Sequence, residues 1–314
     1  MKNMKVLYIS SGNKEKNKIS SIVYNQAISL KKKGVQIDFY AIKGKGLLGY
    51  LQNRTSLKKK IKLGHYDLFH AHYSFSGILA ALSNAKPLVV SLMGSEVHQN
   101  KKYFLLKFFI WFLWSRTIVK SQRMKQALGI KAIEIIPNGV NLEKFKPMPI
   151  NDCKAILGWD LSKRNVLFAS SPKHPVKNFK LAHNAIKKLT NNDIEIKFLD
   201  EIPNHKTPLY FNAADIVLLT SLSEGSPNVI KEAMACNRPI VSTKVGDVAW
   251  LLGDQEGHFL SSFCPTDLGL KIKAALDYSQ KNQTTNGRNR IIELKLDSHN
   301  TANKLLGIYN ELIH

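Results

Sequence analysis

Short apolar runs alternate with amphipathic stretches along the whole chain. Lys5-Val6-Leu7-Tyr8-Ile9-Ser10 reads as a buried strand. Ser20 to Lys33 comes next as a helix, with Ile22, Val23, Ala27 and Leu30 on one face and Gly34 as its stop. Val35 to Ile42, Tyr66 to His70, Pro87 to Leu92, Thr117 to Val119 and Ile133 to Ile136 continue the strand series. Pro147 and Pro149 mark a linker. A second series runs through Val166 to Ser170, Ile194 to Leu199, Asp215 to Thr220, Pro239 to Thr243 and His258 to Leu260. Strands separated by helical stretches imply parallel sheets with helices on both faces. The expected class is therefore α/β, with two doubly wound parallel-sheet domains, 1–147 and 148–297, facing a cleft. A last helix within 298–314 is expected to cross back to the first domain. Ligands of such sheets gather at the carboxyl ends of strands.

One stretch carries most of the chemistry: Ser221-Leu222-Ser223-Glu224-Gly225-Ser226-Pro227-Asn228-Val229-Ile230-Lys231-Glu232. It sets two carboxylates on either side of a glycine loop and a helix start. Pro227 fits the first helical position, where the N–H would go unpaired anyway. Ser226 then falls at the N-cap, and the helix is expected to run to about Cys236. Its free N–H groups and positive dipole end form an anion site. Glu232 sits roughly 7–8 Å along the axis at about 1.5 Å per residue, about the span from a diphosphate to the ribose of one nucleotide.

This stretch resembles the paired-glutamate motif of the retaining GT-B glycosyltransferases, the large family 4 group (glycosyl transferases group 1). Ile136-Pro137-Asn138-Gly139-Val140-Asn141, with Phe145 and Pro147, resembles that family's strand-to-linker signature. Ala213 to Thr220 resembles the strand before the motif. Pro239 to Thr243 and Val245-Gly246-Asp247 resemble the family's strand and turn on its C-terminal side. The resemblance implies the GT-B fold, two Rossmann-like domains, and transfer of a sugar from a UDP- or GDP-linked donor. The acceptor it implies is lipid-linked or a surface polysaccharide. It places Glu232 on ribose hydroxyls and Glu224 against the donor sugar. Gly225 and the amides of Ser226, Asn228 and Val229 fall to the diphosphate or the sugar.

Lys177 matches the family's diphosphate-neutralising lysine. Ser171 stands where relatives carry an arginine, and Lys173 is expected to substitute as a point charge. Ser91-Leu92-Met93-Gly94-Ser95-Glu96 matches a loop that reads His-Gly-Ser-Asp in many relatives. Met93 cannot transfer a proton, so the candidate bases are Glu96 and His72. A front-face route needs neither, since the leaving phosphate can take the acceptor proton. Gly12 lies in the first strand-to-helix loop, where relatives often carry two glycines near phosphates and acceptor. No cofactor and no metal are expected, and no Asp-x-Asp motif is present.

Charge changes the picture most. Residues 1–146 hold 26 Lys or Arg and 6 Asp or Glu, a net of +20 within a total of +23. A half-molecule so basic is expected to meet an anionic partner. Lys101 to Arg116 is the most apolar stretch, with Phe104, Phe108, Phe109, Trp111, Phe112 and Trp114 interrupted by Lys107. It is shorter than the roughly 20 residues that span a bilayer. One face in the core and one at a lipid interface is the expectation. The protein is thus expected in the cytoplasm, peripheral on the anionic inner leaflet. Three scattered cysteines fit reduced thiols, and no secretory signal is visible. Competing readings are a GT-B sugar-nucleotide epimerase or hydrolase, and a GT-B scaffold that has lost catalysis. Charge alone also allows nucleic-acid binding, but neither zinc-ligand spacing nor an RNP-like aromatic motif accompanies it.

Overall fold

The computed structural model describes residues 4–12, 19–94, 103–189 and 193–313. The first elements are β1 (Lys5–Ser11), α1 (Ser21–Lys31), β2 (Gln36–Ile42), α2 (Gly46–Leu51) and α3 (Arg54–Gly64). Next come β3 (Leu68–His72), α4 (Ser74–Leu82), β4 (Leu88–Ser91), α5 (Tyr103–Phe112), β5 (Arg116–Val119), α6 (Gln122–Leu128) and β6 (Glu134–Ile135). The chain goes on through α7 (Ile150–Leu157), β7 (Arg164–Phe168), α8 (Phe179–Lys187), β8 (Ile194–Phe198), α9 (Thr207–Ala213) and β9 (Ile216–Leu219). It ends with α10 (Asn228–Ala235), β10 (Ile240–Thr243), α11 (Val248–Leu252), β11 (His258–Ser261), α12 (Pro265–Asn282), α13 (Gly287–Glu293) and α14 (Ser298–Ile313). Two compact units result: Met1–Gly139 with Ser298–His314, and Val140–Asp297.

The first unit is built on a parallel sheet of order β2-β1-β3-β4-β5-β6. Residues Val6 to Ser10 are buried in an unbroken run, as a sheet covered on both faces requires. Alternate residues of β1 serve opposite faces. Leu7 and Ile9 pack with Leu57 of α3, Leu79 of α4, Phe109 of α5 and Leu128 of α6. Val6 and Tyr8 pack with Val23 and Leu30 of α1 and with Leu305 and Tyr309 of α14. The last helix therefore belongs to the first sheet. Its Tyr309 hydroxyl meets the Tyr8 hydroxyl at 3.1 Å and His70 Nδ1 at 2.5 Å.

That contact also explains a longer strand than the apolar pattern suggests. The pattern ends near His70, yet β3 runs on to His72, which pairs with Ser91 of β4. His70 is tolerated in the core because polar neighbours receive it. Its other ring nitrogen faces Ser91 Oγ at 2.9 Å, and Lys120 Nζ donates to the same hydroxyl at 3.4 Å.

The second unit carries a parallel sheet of order β11-β10-β9-β7-β8. Strand β7 begins at Arg164, ahead of the apolar run, because the Arg164 guanidinium is drawn to Asp193 beside β8 at 2.7 Å. Residues 140–147, expected in the first domain, pack with the second unit. Phe145 lies in its core beside Phe211, and Arg288 donates to the carbonyls of Phe145 and Leu142 at 2.7 and 2.9 Å. In each sheet the strand order reverses once, between β1 and β3 and between β7 and β9. Ligands of open α/β sheets gather outside the carboxyl ends at such reversals.

Leu305 is fully buried between α14 and the first sheet. Leu305→Ala is expected to cost about 2–5 kcal/mol by the cavity it leaves, read as a lower denaturation midpoint of the first unit.

Candidate functional site

Two loops of the second unit are stitched together at the carboxyl ends of β7 and β9. The loop after β7 ends in a 3-10 turn, Pro175–Lys177, and Asn178 takes a left-handed φ of 52° before α8 begins. The loop after β9 bonds to it three times. Thr220 Oγ1 donates to the Lys177 and Asn178 carbonyls at 2.9 and 3.1 Å, and the Leu222 N–H donates to the Val176 carbonyl at 2.8 Å. Thr243 Oγ1 of β10 fixes the Ser221 carbonyl at 2.8 Å. The outcome is an ion pair between Lys177 Nζ and Glu224 Oε1 at 2.6 Å, with Ser221 Oγ on the same oxygen at 2.8 Å. The sequence singles out both partners, and the fold joins them. Lys173 is exposed and enters no ion pair among the described residues; only its N–H is engaged, to Ser171 Oγ.

Helix α10 starts one residue later than the sequence suggests. Pro227 holds the cap position with φ −70° and ψ 120°, and no side chain caps the helix. The residue before a helix favours extended backbone, which proline's fixed φ permits. Ser226 is displaced from the cap and takes a hydrogen bond from Lys231 Nζ at 3.2 Å. The N–H groups of Asn228 and Val229 open the helix, where no acidic residue competes for an anion. Asn228 Oδ1 is buried there with no hydrogen-bond partner among the described residues.

Burial dominates the charges along α10. Glu232 is pushed up to about 7, against the pull of Lys144 and Lys231. Burial lowers Lys231 to about 8, against Asp247 and Glu232. Burial raises Asp247 to about 6, opposed by Ser226 and Lys231. Gly246 closes this group from below at φ 55°: a Cβ on it would stand 2.5 Å from the Gly225 carbonyl oxygen and 2.8 Å from that of Glu224. Lys144 arrives from the segment after Val140. The Asn141 side chain turns that segment by accepting the Glu143 and Lys144 N–H groups at 2.9 and 3.0 Å.

The site residues expected in the first unit fare differently. His72 is 3% exposed, its ring stacked on His70 at 4.3 Å, and its Nε2 has no partner among the described residues. Burial and the Lys120 charge hold it well below the usual histidine range. A base so weakened and enclosed is not matched to proton abstraction near neutral pH. Gly12 is buried, and its N–H is committed to the Ile42 carbonyl at 2.9 Å. It therefore has no N–H to give a phosphate. A Cβ there would meet Ala41 Cβ at 2.9 Å, so close strand packing is what needs a glycine. Glu96 lies outside the described residues.

The family description "Glycosyltransferase Family 4" matches residues 35–144, and "Glycosyl transferases group 1" matches residues 174–277. The chain belongs to the group 1, family 4 glycosyltransferases. Relatives include TuaC of Bacillus subtilis, named for teichuronic acid biosynthesis, 28% identical over 62% of this chain and 57% of its own length. The chain thus spans somewhat over half of that relative. A second is the UDP-Gal:alpha-D-GlcNAc-diphosphoundecaprenol alpha-1,3-galactosyltransferase of Escherichia coli, 26% identical over 78% of this chain and 76% of that one. Among solved structures, sucrose-phosphate synthase of Thermosynechococcus elongatus superposes with a TM-score of 0.84 at 16% identity, over 99% of both chains. HepE of Anabaena, solved with UDP, gives 0.74 at 18% identity over 98% of this chain and 100% of its own. These likenesses establish the GT-B fold of two parallel-sheet units.

Within this glycosyltransferase, sequence reasoning misses Lys144, Lys231 and the buried role of Asp247. Gly246 and Asp247 are visible as a motif, but only the fold shows Gly246 pressed on the Glu224 loop. Lys231 at the fourth position of an amphipathic helix reads as a surface residue, yet it is 1% exposed.

Gly246→Ala is expected to displace residues 224–226 and to strain the left-handed backbone by about 1–2 kcal/mol. Thermal denaturation should read that strain as a lower midpoint of the second unit in this variant.

Proposed function

We propose that this glycosyltransferase moves a hexose from a UDP- or GDP-linked donor to a lipid-linked glycan, with retention at the anomeric carbon. One observation carries the reading. Glu224 with its partner Lys177, the open start of α10, and Glu232 follow one another along two stitched loops and one helix, in the order sugar, diphosphate and ribose of a nucleotide sugar. The second unit takes the donor. Lys177 and the first N–H groups of α10 carry the diphosphate, and Glu232 accepts from the ribose hydroxyls. Glu224 accepts from the sugar.

The chemistry is positional and electrostatic. The anomeric carbon–phosphate oxygen bond breaks, and its electron pair goes to the diphosphate, which Lys177 and the helix start stabilise. The acceptor hydroxyl attacks from the same face, and its proton passes to the departing phosphate oxygen. The E. coli relative named for a diphosphoundecaprenol acceptor, and the Anabaena structure solved with UDP, support the lipid-linked acceptor and the uridine donor respectively. A uridine donor and an acceptor on a lipid diphosphate are the preferred pair.

Glu232→Ala is expected to lower the transfer rate at least about 100-fold, or about 2.7 kcal/mol, in a radiolabelled-sugar transfer assay. Wild-type protein with UDP at about 100 times its Kd should gain about 2.7 kcal/mol of stability in a thermal-shift assay. No gain with UDP, GDP or ADP would sink the donor site.

Glu232 also implies a pH dependence. Its carboxylate is the form that accepts hydroxyls, and it is the form that burial disfavours below about 7. Donor affinity should therefore rise as pH increases through about 7, then level off. Glu232→Gln should flatten that rise, which separates it from the titrations of Asp247 near 6 and Lys231 near 8.

A further inference from the structure

The helices α2 to α6 form one layer, since Tyr50, Leu57, Leu79, Phe109 and Leu128 all enter the same core cluster on the same side of the first sheet. The inner side of this layer is ordinary core. Its outer side is not an ordinary surface. On α5, Phe108, Trp111 and Phe112 are 49%, 66% and 69% exposed, while Phe109 and Ile110 of the same helix are buried. Phe108 and Phe112 lie against each other with ring centroids 5.2 Å apart. On α2 and α3, Leu48 and Leu63 are 80% and 66% exposed. Lysines 58, 59 and 62 of α3 are exposed among them.

The charge of this layer is almost of one sign. Residues 43–131 carry 16 Lys or Arg against two carboxylates, Asp67 and Glu96. Asp67 is taken up inside the unit, accepting the Lys5 N–H at 2.7 Å. The opposite face of the sheet, covered by α1 and α14, carries a weaker form of this pattern: α1 exposes Ile22 and Tyr24, at 39% and 49%, with Tyr24 stacked on Phe39, and Lys31 to Lys33 and Lys304 stand there beside Glu311. Contiguous exposed aromatics mark an interaction surface, and aromatics flanked by lysines suit the headgroup layer of a bilayer. No helix among the described residues is long and apolar enough to cross a membrane.

We propose that the outer face of α2 to α5 docks this chain on an anionic phospholipid bilayer. The exposed rings of α5 enter the interface and the α3 lysines meet the phosphates. The proposal rests on the reading of a lipid-linked acceptor, and it gives that acceptor's membrane a specific landing surface. A second copy of the chain is the competing occupant. Two faces of the same strongly positive sign would repel one another.

Flotation of the full chain with phosphatidylcholine vesicles, with and without phosphatidylglycerol, tests this. Binding is expected with phosphatidylglycerol and is expected to fall as salt rises. The double variant Trp111→Ser, Phe112→Ser and the triple variant Lys58→Ser, Lys59→Ser, Lys62→Ser should each weaken it at least about tenfold. Both should keep the wild-type thermal shift with UDP, because none of these residues lies in the second unit. Equal recovery with neutral vesicles, or variants that float like wild type, would overturn the proposal. So would a dimer in sedimentation that Trp111→Ser converts to monomer. Vesicle binding without any UDP shift would instead leave this surface standing and remove the donor reading.

Discussion

The ion pair between Lys177 and Glu224 is the contact on which the candidate site depends. Its two members come from different loops, 47 residues apart, and meet only because Thr220 and Leu222 tie those loops together. Both side chains are only about a fifth exposed or less. A half-buried pair of this kind is worth little as general stability, because desolvation offsets most of its attraction. Its value is positional. In the proposed reading, a phosphate that meets Lys177 brings its attached sugar beside Glu224, so one encounter would set both in register.

The same economy appears along α10. The helix presents unpaired N–H groups at its start and then buries Lys231, with the half-buried Glu232 and Asp247 near it. Charges in such surroundings do not relax freely, and each reports on the others. Lys231 holds Ser226 from inside the helix, and Gly246 packs close against Gly225 from below, so residues 224–226 are held from two sides. Pre-set hydrogen-bond donors of this sort are what transfer from a diphosphate demands, because charge develops on a group that is already bound.

Much of this is legible in the sequence, and the failures have physical causes. The strand series is readable because parallel sheets bury continuous apolar runs. Strand β3 outruns its apolar pattern because two histidines continue it, and the hydroxyl of Tyr309, some 239 residues on, makes the burial of His70 tolerable. The start of α10 is ambiguous by one residue because proline fits both the first helical position and the position before it. Glu224, Lys177 and Glu232 are readable because a motif fixes their spacing. Lys144, Lys231 and Asp247 are not, since a lysine on a helix and a lysine in a buried charge group look alike in one dimension. The positions of His72 and Gly12 at the ends of strands suggest ligand-facing loops, yet strand packing claims both.

The charge of the chain divides by task. The first unit holds 25 Lys or Arg against 6 Asp or Glu, and the second holds 21 against 17. The unit that carries the donor-site motif is therefore close to neutral. A small anion is recognised by a few donors at hydrogen-bond distance, and diffuse charge beyond about 8 Å is screened at physiological salt. Extra lysines on the second unit would thus add little to a nucleotide site. An extended anionic surface obeys the opposite rule, because every exposed lysine of a flat face lies within a screening length of some phosphate. Excess charge spread over one helix layer, with aromatic rings set in it, is consistent with that second kind of partner and poorly suited to the first.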